Sequence, residues 1–319
     1  MVWILCDQSL LIEIMKHSDY KYIGGHLAAL GAYCIFGFNI ILTKDLTNSH
    51  IFTPLSLFTL RSLGAGSLFW IMSLFTKKEK VERKDFLKIF MASLLGYFGT
   101  QWTFLEGINY ATPLDCSIIA TLGPVFTMLV AAVVLHEPIT WKKAGGVALS
   151  LCGILALILS SYHSETAALT TPYGIILLVL NSLFFAAYLG IYRPVIQKYS
   201  VVTFMKWIFL FSFVLAIPFS FSDLLAVNYS SVPIKCFADL GYLVFFATFI
   251  SYFLIPIGQK YIRPTLVSLY SYVQPMIASV LGIYLGMDYL TPIKVVAIIA
   301  VVLGVVMVNK SKGKKAIGH

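Results

Sequence analysis

Polar side chains that interrupt long apolar segments are the residues of this 319-residue chain that could do chemistry. An ionisable or amide group in an apolar environment costs free energy unless it is paired or faces water, so each one is a candidate ligand contact. The charged and amide candidates in the first half are Asn39, Arg61, Glu106 and Asp115. The neutral candidates are Tyr97, Gln101, Tyr188, Tyr270 and Gln274.

Arg61 has three interpretations. It can form a structural ion pair with Glu106 or Asp115, contact an anionic or carboxylate ligand, or extend its charge toward the membrane surface. Glu106 is a candidate for proton coupling or is simply the partner of Arg61. Asp115 lies near the predicted start of a helix, where the helix dipole stabilises an anion. Asn39 can hydrogen-bond a neighbouring helix or a ligand.

The neutral candidates suit a zwitterionic or amphipathic ligand, because tyrosine and glutamine offer hydrogen bonds without a net charge. Tyr97 and Gln101 lie one helical turn apart. The segment 268–274 contains Tyr270 and Gln274 and is too polar for a helix that faces only lipid. Ordinary helix packing explains any single one of these residues equally well.

We expect no catalytic residue, metal site or cofactor. The five cysteines have no metal-binding or redox spacing. The pair His136–Glu137 lacks the second histidine of an HExxH zinc site, and the sequence has no GxxxxGK[ST] phosphate-binding loop. The expected partners are therefore a small-molecule ligand and the lipid bilayer.

The composition predicts an integral membrane protein. Hydrophobic residues make up 59% of the chain and charged residues 12%, against roughly a quarter charged in soluble domains. The apolar runs are continuous rather than alternating, which favours helices over a barrel. The basic residues behind the net charge of +9 lie mostly in short loops between these runs. Membrane topology therefore explains the charge better than nucleic-acid binding does.

Ten predicted membrane-spanning helices must position the candidate residues. A span needs about 20 mostly apolar residues. The predicted spans are about 24–43, 54–76, 86–106, 113–135, 142–161, 173–192, 202–222, 238–260, 264–287 and 290–309. Residues 1–22 are predicted to be an N-terminal cytoplasmic tail, and residues 310–319 a basic cytoplasmic tail.

Lysine and arginine set the orientation, because the cytoplasmic loops of membrane proteins are enriched in them. With the N-terminus inside, 18 of the 23 basic residues lie on the inner side. Three of the 23, Lys44, Lys235 and Lys294, lie on the outer side. Because the number of spans is even, both termini are predicted to face the cytoplasm.

The chain contains a repeat at a nearly fixed offset. Pro113 and Pro264 are 151 residues apart, and so are Pro124 and Pro275. The same offset relates Tyr110 to Tyr261, Thr140 to Thr291, Lys143 to Lys294 and Gly153 to Gly304, and an offset of 149 relates Gly25 to Gly174, Phe36 to Phe185 and Lys44 to Arg193. A repeat of five helices, an odd number, places its second copy upside down in the membrane.

Pro124 and Pro275 are expected to kink the fourth and ninth helices near the membrane centre. Each lies 11 residues after the proline that opens its helix, about 16 Å along at ~1.5 Å per residue. Half of the hydrocarbon layer is about 15 Å. Proline donates no backbone hydrogen bond, so the carbonyls of Ala120 and Ser271 lose a partner. A tolerated proline explains either one alone, whereas the symmetric pair favours a cavity between the halves.

Several motifs resemble the EamA domain of the drug/metabolite transporter superfamily. They are Gly107, Tyr110–Ala111–Thr112, Gly123–Pro124–Val125–Phe126, Leu135–His136–Glu137–Pro138, Gly145–Gly146, Phe36–Gly37–Phe38–Asn39 with Lys44, and Phe58–Thr59–Leu60–Arg61. The second half is a more diverged copy, with Gln274–Pro275 and Asp288 at the corresponding places. The resemblance covers residues 24–309 and implies an all-α integral membrane fold of ten helices in two inverted five-helix repeats. Their predicted bounds are 23–161 and 172–309.

The resemblance implies a secondary transporter that moves a small organic metabolite, amino-acid-like or drug-like, by alternating access, often as an exporter. The alternatives are a passive channel or facilitator and an intramembrane enzyme. The absence of a Ser–Lys pair, paired aspartates or a metal cluster near the predicted membrane centre argues against the enzyme. The expected location is the bacterial cytoplasmic membrane, and both a monomer and a homodimer are compatible with the sequence.

Overall fold

The computed structural model describes residues 2–135, 141–162, 170–287 and 290–310, and the regular structure in these ranges is helical. The α-helices are α1 (Val2–Asn48), α2 (Pro54–Leu74), α3 (Arg83–Ser93), α4 (Thr100–Asn109), α5 (Pro113–Ala120), α6 (Gly123–Leu135), α7 (Trp141–Tyr162), α8 (Pro172–Ile191), α9 (Arg193–Lys198), α10 (Val201–Ala226), α11 (Ile234–Tyr242), α12 (Ser251–Tyr261), α13 (Pro264–Leu269), α14 (Val273–Tyr284) and α15 (Pro292–Lys310). There are also π-helices at Leu94–Gly99 and Leu243–Ile250, and 3-10 helices at Tyr229–Ser231 and Tyr270–Tyr272. The motif residues His136, Glu137, Pro138 and Asp288 and the predicted tail after Lys310 lie outside the described residues.

In the described part of the chain these elements form ten helical rods, numbered here in chain order. Rods 1, 2, 5, 6, 7 and 10 are α1, α2, α7, α8, α10 and α15. Rod 3 is α3, the first π-helix and α4; rod 4 is α5 and α6; rod 8 is α11, the second π-helix and α12; rod 9 is α13, the 3-10 helix Tyr270–Tyr272 and α14. The short α9 connects rods 6 and 7.

Threonine–proline pairs begin several rods. Thr53, Thr112 and Thr171 each accept a hydrogen bond from the backbone N–H three residues later, and each is followed by a proline at the first helical position. The hydroxyl satisfies an N–H that has no partner within the helix, and proline has no N–H to leave unpaired there. Local sequence therefore fixes where rods 2, 4 and 6 begin.

Seven helices among the described residues are long and apolar enough to cross a membrane. They are Tyr20–Asn48, Pro54–Leu74, Pro113–Val134, Pro172–Ile191, Val201–Ala226, Ile234–Tyr261 and Leu266–Tyr284. The predicted third, fifth and tenth spans are helical but do not belong to this group. The apolar parts described in rods 5 and 10 are the shorter stretches Ala144–Gly153 and Val295–Gly304. The chain crosses a membrane several times, and the count of ten crossings stays a prediction.

The start of the first helix differs from the sequence-based expectation. Helix α1 begins at Val2, so the segment predicted as a tail is helical and residue 22 is not a helix boundary. The apolar part of this helix begins at Tyr20.

The main contacts between the rods are the same when rods 1–5 are exchanged for rods 6–10. Rod 2 packs against rod 7, and rod 5 packs against rod 10. Rod 1 contacts rods 8 and 9, as rod 6 contacts rods 3 and 4. Rods 4 and 9 also contact each other. The two halves of the chain therefore occupy equivalent positions in the bundle.

Rods 5 and 10 approach each other closely at a glycine. A Cβ atom added at Gly304 would lie 2.3 Å from Ser150 Oγ and 2.4 Å from the Gly146 carbonyl oxygen. Gly146, Ser150 and Gly153 are buried, so the small-residue face of rod 5 lies in this contact. Small residues allow helix backbones to pack at short distance in membranes, where dispersion contacts replace the hydrophobic effect.

Gly304→Ala is expected to destabilise the protein by about 1–3 kcal/mol, because the new methyl group overlaps backbone that cannot move aside. Thermal unfolding in detergent should show a melting temperature lowered by several degrees. The control is Gly145→Ala in the same pair of rods, where the added Cβ meets only Met307 Cε at 3.6 Å. Equal melting temperatures for the two variants would contradict this account of the rod 5–rod 10 contact.

Candidate functional site

Both rods that contain the paired prolines are interrupted. In rod 4, helix α5 ends at Ala120, residues Thr121 and Leu122 form a turn, and α6 begins at Gly123 just before Pro124. In rod 9 the 3-10 helix Tyr270–Tyr272 occupies the related place before Pro275. The interruptions lie where the sequence predicts kinks, because a proline cannot donate to the carbonyl four residues earlier.

Rods 3 and 8 contain π-helices at places related by the repeat. The π-helices end at Gly99 and Ile250, which are 151 residues apart. The next residues, Thr100 and Ser251, donate their hydroxyl hydrogens to the carbonyls five residues earlier, at 2.7 and 3.2 Å. Short π-helical segments inside α-helices are frequent at functional sites. Sequence propensity does not predict them here.

A cavity lies between the two halves, beside these irregular turns. It holds about 730 Å³ of space not filled by atoms, a figure that includes space open to solvent. Residues related by the repeat line it in pairs: Tyr33 with Ser182, Phe36 with Phe185, Ile40 with Leu189, Gln101 with Tyr252, Ala120 with Ser271, and Gly123 with Gln274. The cavity therefore sits where equivalent surfaces of the two halves face each other.

One hydrogen bond in the cavity wall joins two residues that the repeat relates. Gln101 donates from Nε2 to the Tyr252 hydroxyl at 2.9 Å, across 151 residues of sequence. The other amide atom, Gln101 Oε1, has no hydrogen-bond partner among the described residues, and neither has Ser271 Oγ. These two groups, both in the cavity wall, are available to a ligand.

Three of the nine candidate residues from the sequence line the cavity: Asn39, Gln101 and Gln274. Asn39 accepts a hydrogen bond from Thr43 within its own helix. The other six lie outside the wall: Arg61, Tyr97, Glu106, Asp115, Tyr188 and Tyr270. Tyr97 and Tyr188 are fully buried behind it, and Tyr270 forms a 2.7 Å hydrogen bond with His26 of rod 1. A ligand-contact role for each candidate stays a prediction.

Of the three interpretations of Arg61, the ion pair with Glu106 or Asp115 is not found among the described residues. Arg61 donates from Nε to Thr248 Oγ1 at 2.9 Å, and its two terminal nitrogens have no hydrogen-bond partner among the described residues. Asp115 instead accepts from the hydroxyls of Thr112 and Thr170 at 2.9 and 2.5 Å. It lies in the first turn of α5, where an anion is stabilised by the helix dipole.

Tyr252, the partner of Gln101, is absent from the sequence-based candidates, as are the aromatic residues Phe36 and Phe185. The signal for all three lies in the repeat itself. The offset of 151 residues leads from Gln101 to Tyr252, and the offset of 149 pairs the two phenylalanines. Symmetry applied to each candidate predicts a second residue facing the same cavity.

Comparison with known proteins identifies the family. The sequence model of the EamA-like transporter family matches residues 23–159 and again residues 172–310. The chain belongs to the EamA-like transporter family. This membership, with the apolar helices, makes it a multi-pass membrane protein of a transporter family.

EamA-like relatives match over almost the whole chain. The uncharacterized transporters YyaM and YetK of Bacillus subtilis (strain 168) are 23% and 22% identical to it, each over 92% of this chain and over 95% and 89% of their own lengths. An uncharacterized transporter of Archaeoglobus fulgidus is 27% identical over 47% of this chain and 51% of its own length. A solved crystal structure aligns with a TM-score of 0.61 at 15% identity, covering 94% of this chain and 98% of its own, which supports the fold.

Charged contacts join the rods of this EamA-like protein at one end of the bundle. Asp85, at the start of rod 3, accepts hydrogen bonds from Lys198 at 2.6 Å, from the Tyr199 hydroxyl at 2.7 Å and from Lys88 at 3.0 Å. Lys198 also pairs with Glu82 at 2.7 Å. We call this group the Asp85 clamp; it ties the start of rod 3 to the segment after rod 6.

A second group joins rod 1 to rod 8. Lys235, at the start of rod 8, pairs with Asp45 near the end of rod 1 and lies 3.5 Å from Asp239. The repeat relates rod 3 to rod 8 and rod 6 to rod 1. The Lys235 clamp, defined by these three residues, is therefore the repeat-related counterpart of the Asp85 clamp.

Asp85→Asn is expected to lower the melting temperature by several degrees at pH 7. Hydrogen bonds from Lys198, Tyr199 and Lys88 hold the pKa of Asp85 well below its ordinary value of about 4. A carboxyl whose pKa falls on folding stabilises the fold above its unfolded-chain pKa, and this stabilisation is lost as pH falls through the folded-state pKa. The deficit of the variant should therefore be as large at pH 5 as at pH 7.

The matched control is Glu82→Gln, which removes an exposed carboxylate that shares only Lys198 with Asp85. Exposed ion pairs contribute little to stability, so its melting temperature should stay within about a degree of the wild type. If Glu82→Gln lowered the melting temperature as much as Asp85→Asn, the larger stabilising contribution assigned to Asp85 would be contradicted.

Proposed function

We propose that this protein is a secondary carrier that moves a small organic solute by alternating access between two inverted five-helix repeats of a ten-span fold. The observation that carries the proposal is the cavity whose wall is built from repeat-related pairs of residues. Secondary transporters built from inverted repeats bind their substrate near the membrane midplane, at the interface of the repeats.

The contacts at the rod ends support the inversion. Lys44, near the end of rod 1, donates to the Ile108 carbonyl near the end of rod 3, so these two rods run in the same direction. Rod 6 begins beside the end of rod 3, where Thr171 N–H donates to the Tyr110 carbonyl at 2.8 Å. Rod 6 continues to the Asp85 clamp, at the start of rod 3. Rods 1 and 6, the opening rods of the two repeats, thus run in opposite directions.

The basic residues support an orientation with both termini in the cytoplasm. In the predicted topology, which places 18 of the 23 lysines and arginines on the inner side, the Asp85 clamp would lie on that side and the Lys235 clamp on the other. The two Bacillus relatives make a bacterial cytoplasmic membrane the proposed location.

The two clamps support alternating access. Because they join equivalent rods at opposite ends of the bundle, opening one while the other stays closed gives two conformations related by the repeat. Each conformation would expose the cavity to one side only. We propose an amino-acid-like or drug-like solute, since the aromatic wall and neutral amides suit amphipathic molecules. Outward export is the proposed direction, as the family resemblance implies.

Counterflow in proteoliposomes tests the carrier proposal. Vesicles loaded with one of a panel of amino acids, nucleosides or phosphorylated metabolites at millimolar concentration are diluted into a trace of the same radiolabelled solute. A carrier should accumulate label transiently above its equilibrium level for at least one panel member, and uptake should saturate. Label that only equilibrates, without saturation, would indicate the alternative of a passive channel.

Gly123→Phe is expected to reduce this uptake at least tenfold while leaving the melting temperature near that of the wild type. A Cβ at Gly123 meets no atom within 4 Å, and the residue lines the cavity, so the ring would occupy the space for the solute. The control is Gly241→Phe, an exposed helical glycine outside the cavity wall that also has open space around its Cβ. Full uptake by Gly123→Phe would mean that the solute does not pass through this cavity.

A further inference from the structure

Arg61 is a buried cation without a counterion among the described residues. Its side chain has no solvent exposure, and only one of its three nitrogen groups has a hydrogen-bond partner there. A guanidinium group stays protonated in proteins, so it cannot escape the cost of burial by losing its charge. Unpaired buried charge is strongly destabilising, which indicates that the two terminal NH2 groups serve a partner that is not part of the chain.

The guanidinium lies one layer of side chains behind the cavity wall. Arg61 interacts electrostatically with Tyr97 and Tyr252. The rings of Tyr97 and Tyr252 meet edge to face, with centroids 5.0 Å apart, and Tyr252 is itself part of the wall. The Tyr97–Tyr252 pair therefore links the surroundings of Arg61 to the cavity wall, and displacement of this pair is the route by which a ligand in the cavity would reach the charge.

One hydrogen bond, to Thr248, holds the Arg61 side chain in position and leaves its two terminal nitrogens without a hydrogen-bond partner among the described residues. Thr248 accepts from Nε and donates its own hydroxyl hydrogen to the Leu243 carbonyl at 2.6 Å, which holds the acceptor in place. The two terminal nitrogens form the planar fork that binds both oxygens of a carboxylate. A single positive charge among neutral tyrosines is balanced by one negative charge, which favours a carboxylate over a doubly charged phosphate.

We propose that Arg61 binds the carboxylate of the transported solute, and that the solute class is organic monocarboxylates with an apolar or aromatic body. The aromatic side chains of Phe36, Phe104 and Phe185 in the wall would contact that body. The free acceptor Gln101 Oε1 is placed for a donor group on the same molecule. The proposal rests on the carrier function proposed above and adds the chemistry of its substrate.

Binding of a matched acid and amide tests the proposal. Purified protein in detergent at pH 7.5 is titrated with 3-phenylpropanoate and with neutral 3-phenylpropanamide, with tryptophan fluorescence and melting temperature as readouts. The acid should bind the wild type at least tenfold more tightly than the amide. In Arg61→Met the acid should fall to the affinity of the amide, while the affinity of the amide stays unchanged. Equal binding of the two by the wild type would overturn the proposal, as would no binding of either.

Stability separates this role from a structural one. Arg61→Met should melt no lower than the wild type without ligand, because it replaces an unpaired charge by an apolar chain of similar length. A large loss of stability with an intact preference for the acid would make Arg61 structural. Should this variant not fold, Arg61→Lys keeps the charge without the fork, and its acid preference should drop at least threefold; an unchanged preference would overturn the proposal.

Counterflow separates failure of this inference from failure of the carrier function. A protein that exchanges a panel solute but treats the acid and the amide alike is a carrier with another substrate class. The same assay is also run with radiolabelled 3-phenylpropanoate. A protein that binds this acid through Arg61 but shows no counterflow of it is not a carrier of the acid, although Arg61 is still its carboxylate contact.

Discussion

Backbone hydrogen bonding in an apolar environment is the constraint on which this structure depends. An unpaired N–H or C=O group in lipid costs several kcal/mol, so spanning segments must be helical. The helical ladder is interrupted in rods 4 and 9, before Pro124 and Pro275, and it widens into π-helices in rods 3 and 8. These places lie beside the cavity. The hydroxyls of Thr100 and Ser251 compensate nearby carbonyls there, so irregular backbone and binding space occur together.

Much of this arrangement follows from the sequence, because it depends on composition and on one symmetry. The apolar runs predict membrane helices, and the paired prolines predict where rods 4 and 9 are interrupted. Ala120 and Ser271, whose carbonyls lose a hydrogen-bond partner to these prolines, line the cavity. The π-helix in rod 3 could not be predicted, because it accompanies a long-range contact. Gly96 within it faces the ring of Tyr188 in rod 6 so closely that a Cβ would lie 2.2 Å from it.

The position of Arg61 shows what spacing along a helix leaves undetermined. Depth in the membrane follows from residue number, and by depth Arg61 could pair with Glu106 or Asp115. Which way a side chain points depends on the rotation of each helix about its axis, which tertiary packing sets. Rod 2 directs Arg61 toward rod 8 and Thr248, whereas Asp115 is held by Thr112 and Thr170. A shared depth was therefore not sufficient for an ion pair.

The same residue is where the symmetry of the halves is broken. Equivalent packing of the two repeats would give the proposed carrier two conformations of similar free energy, both of which it must populate. The residues 149 and 151 positions after Arg61 are Leu210 and Ser212, so the second half has no counterpart of this charge. A solute in the proposed site would meet a cation on one side of an otherwise matched cavity. Symmetric helices would then supply the motion, and one unmatched arginine would orient the solute.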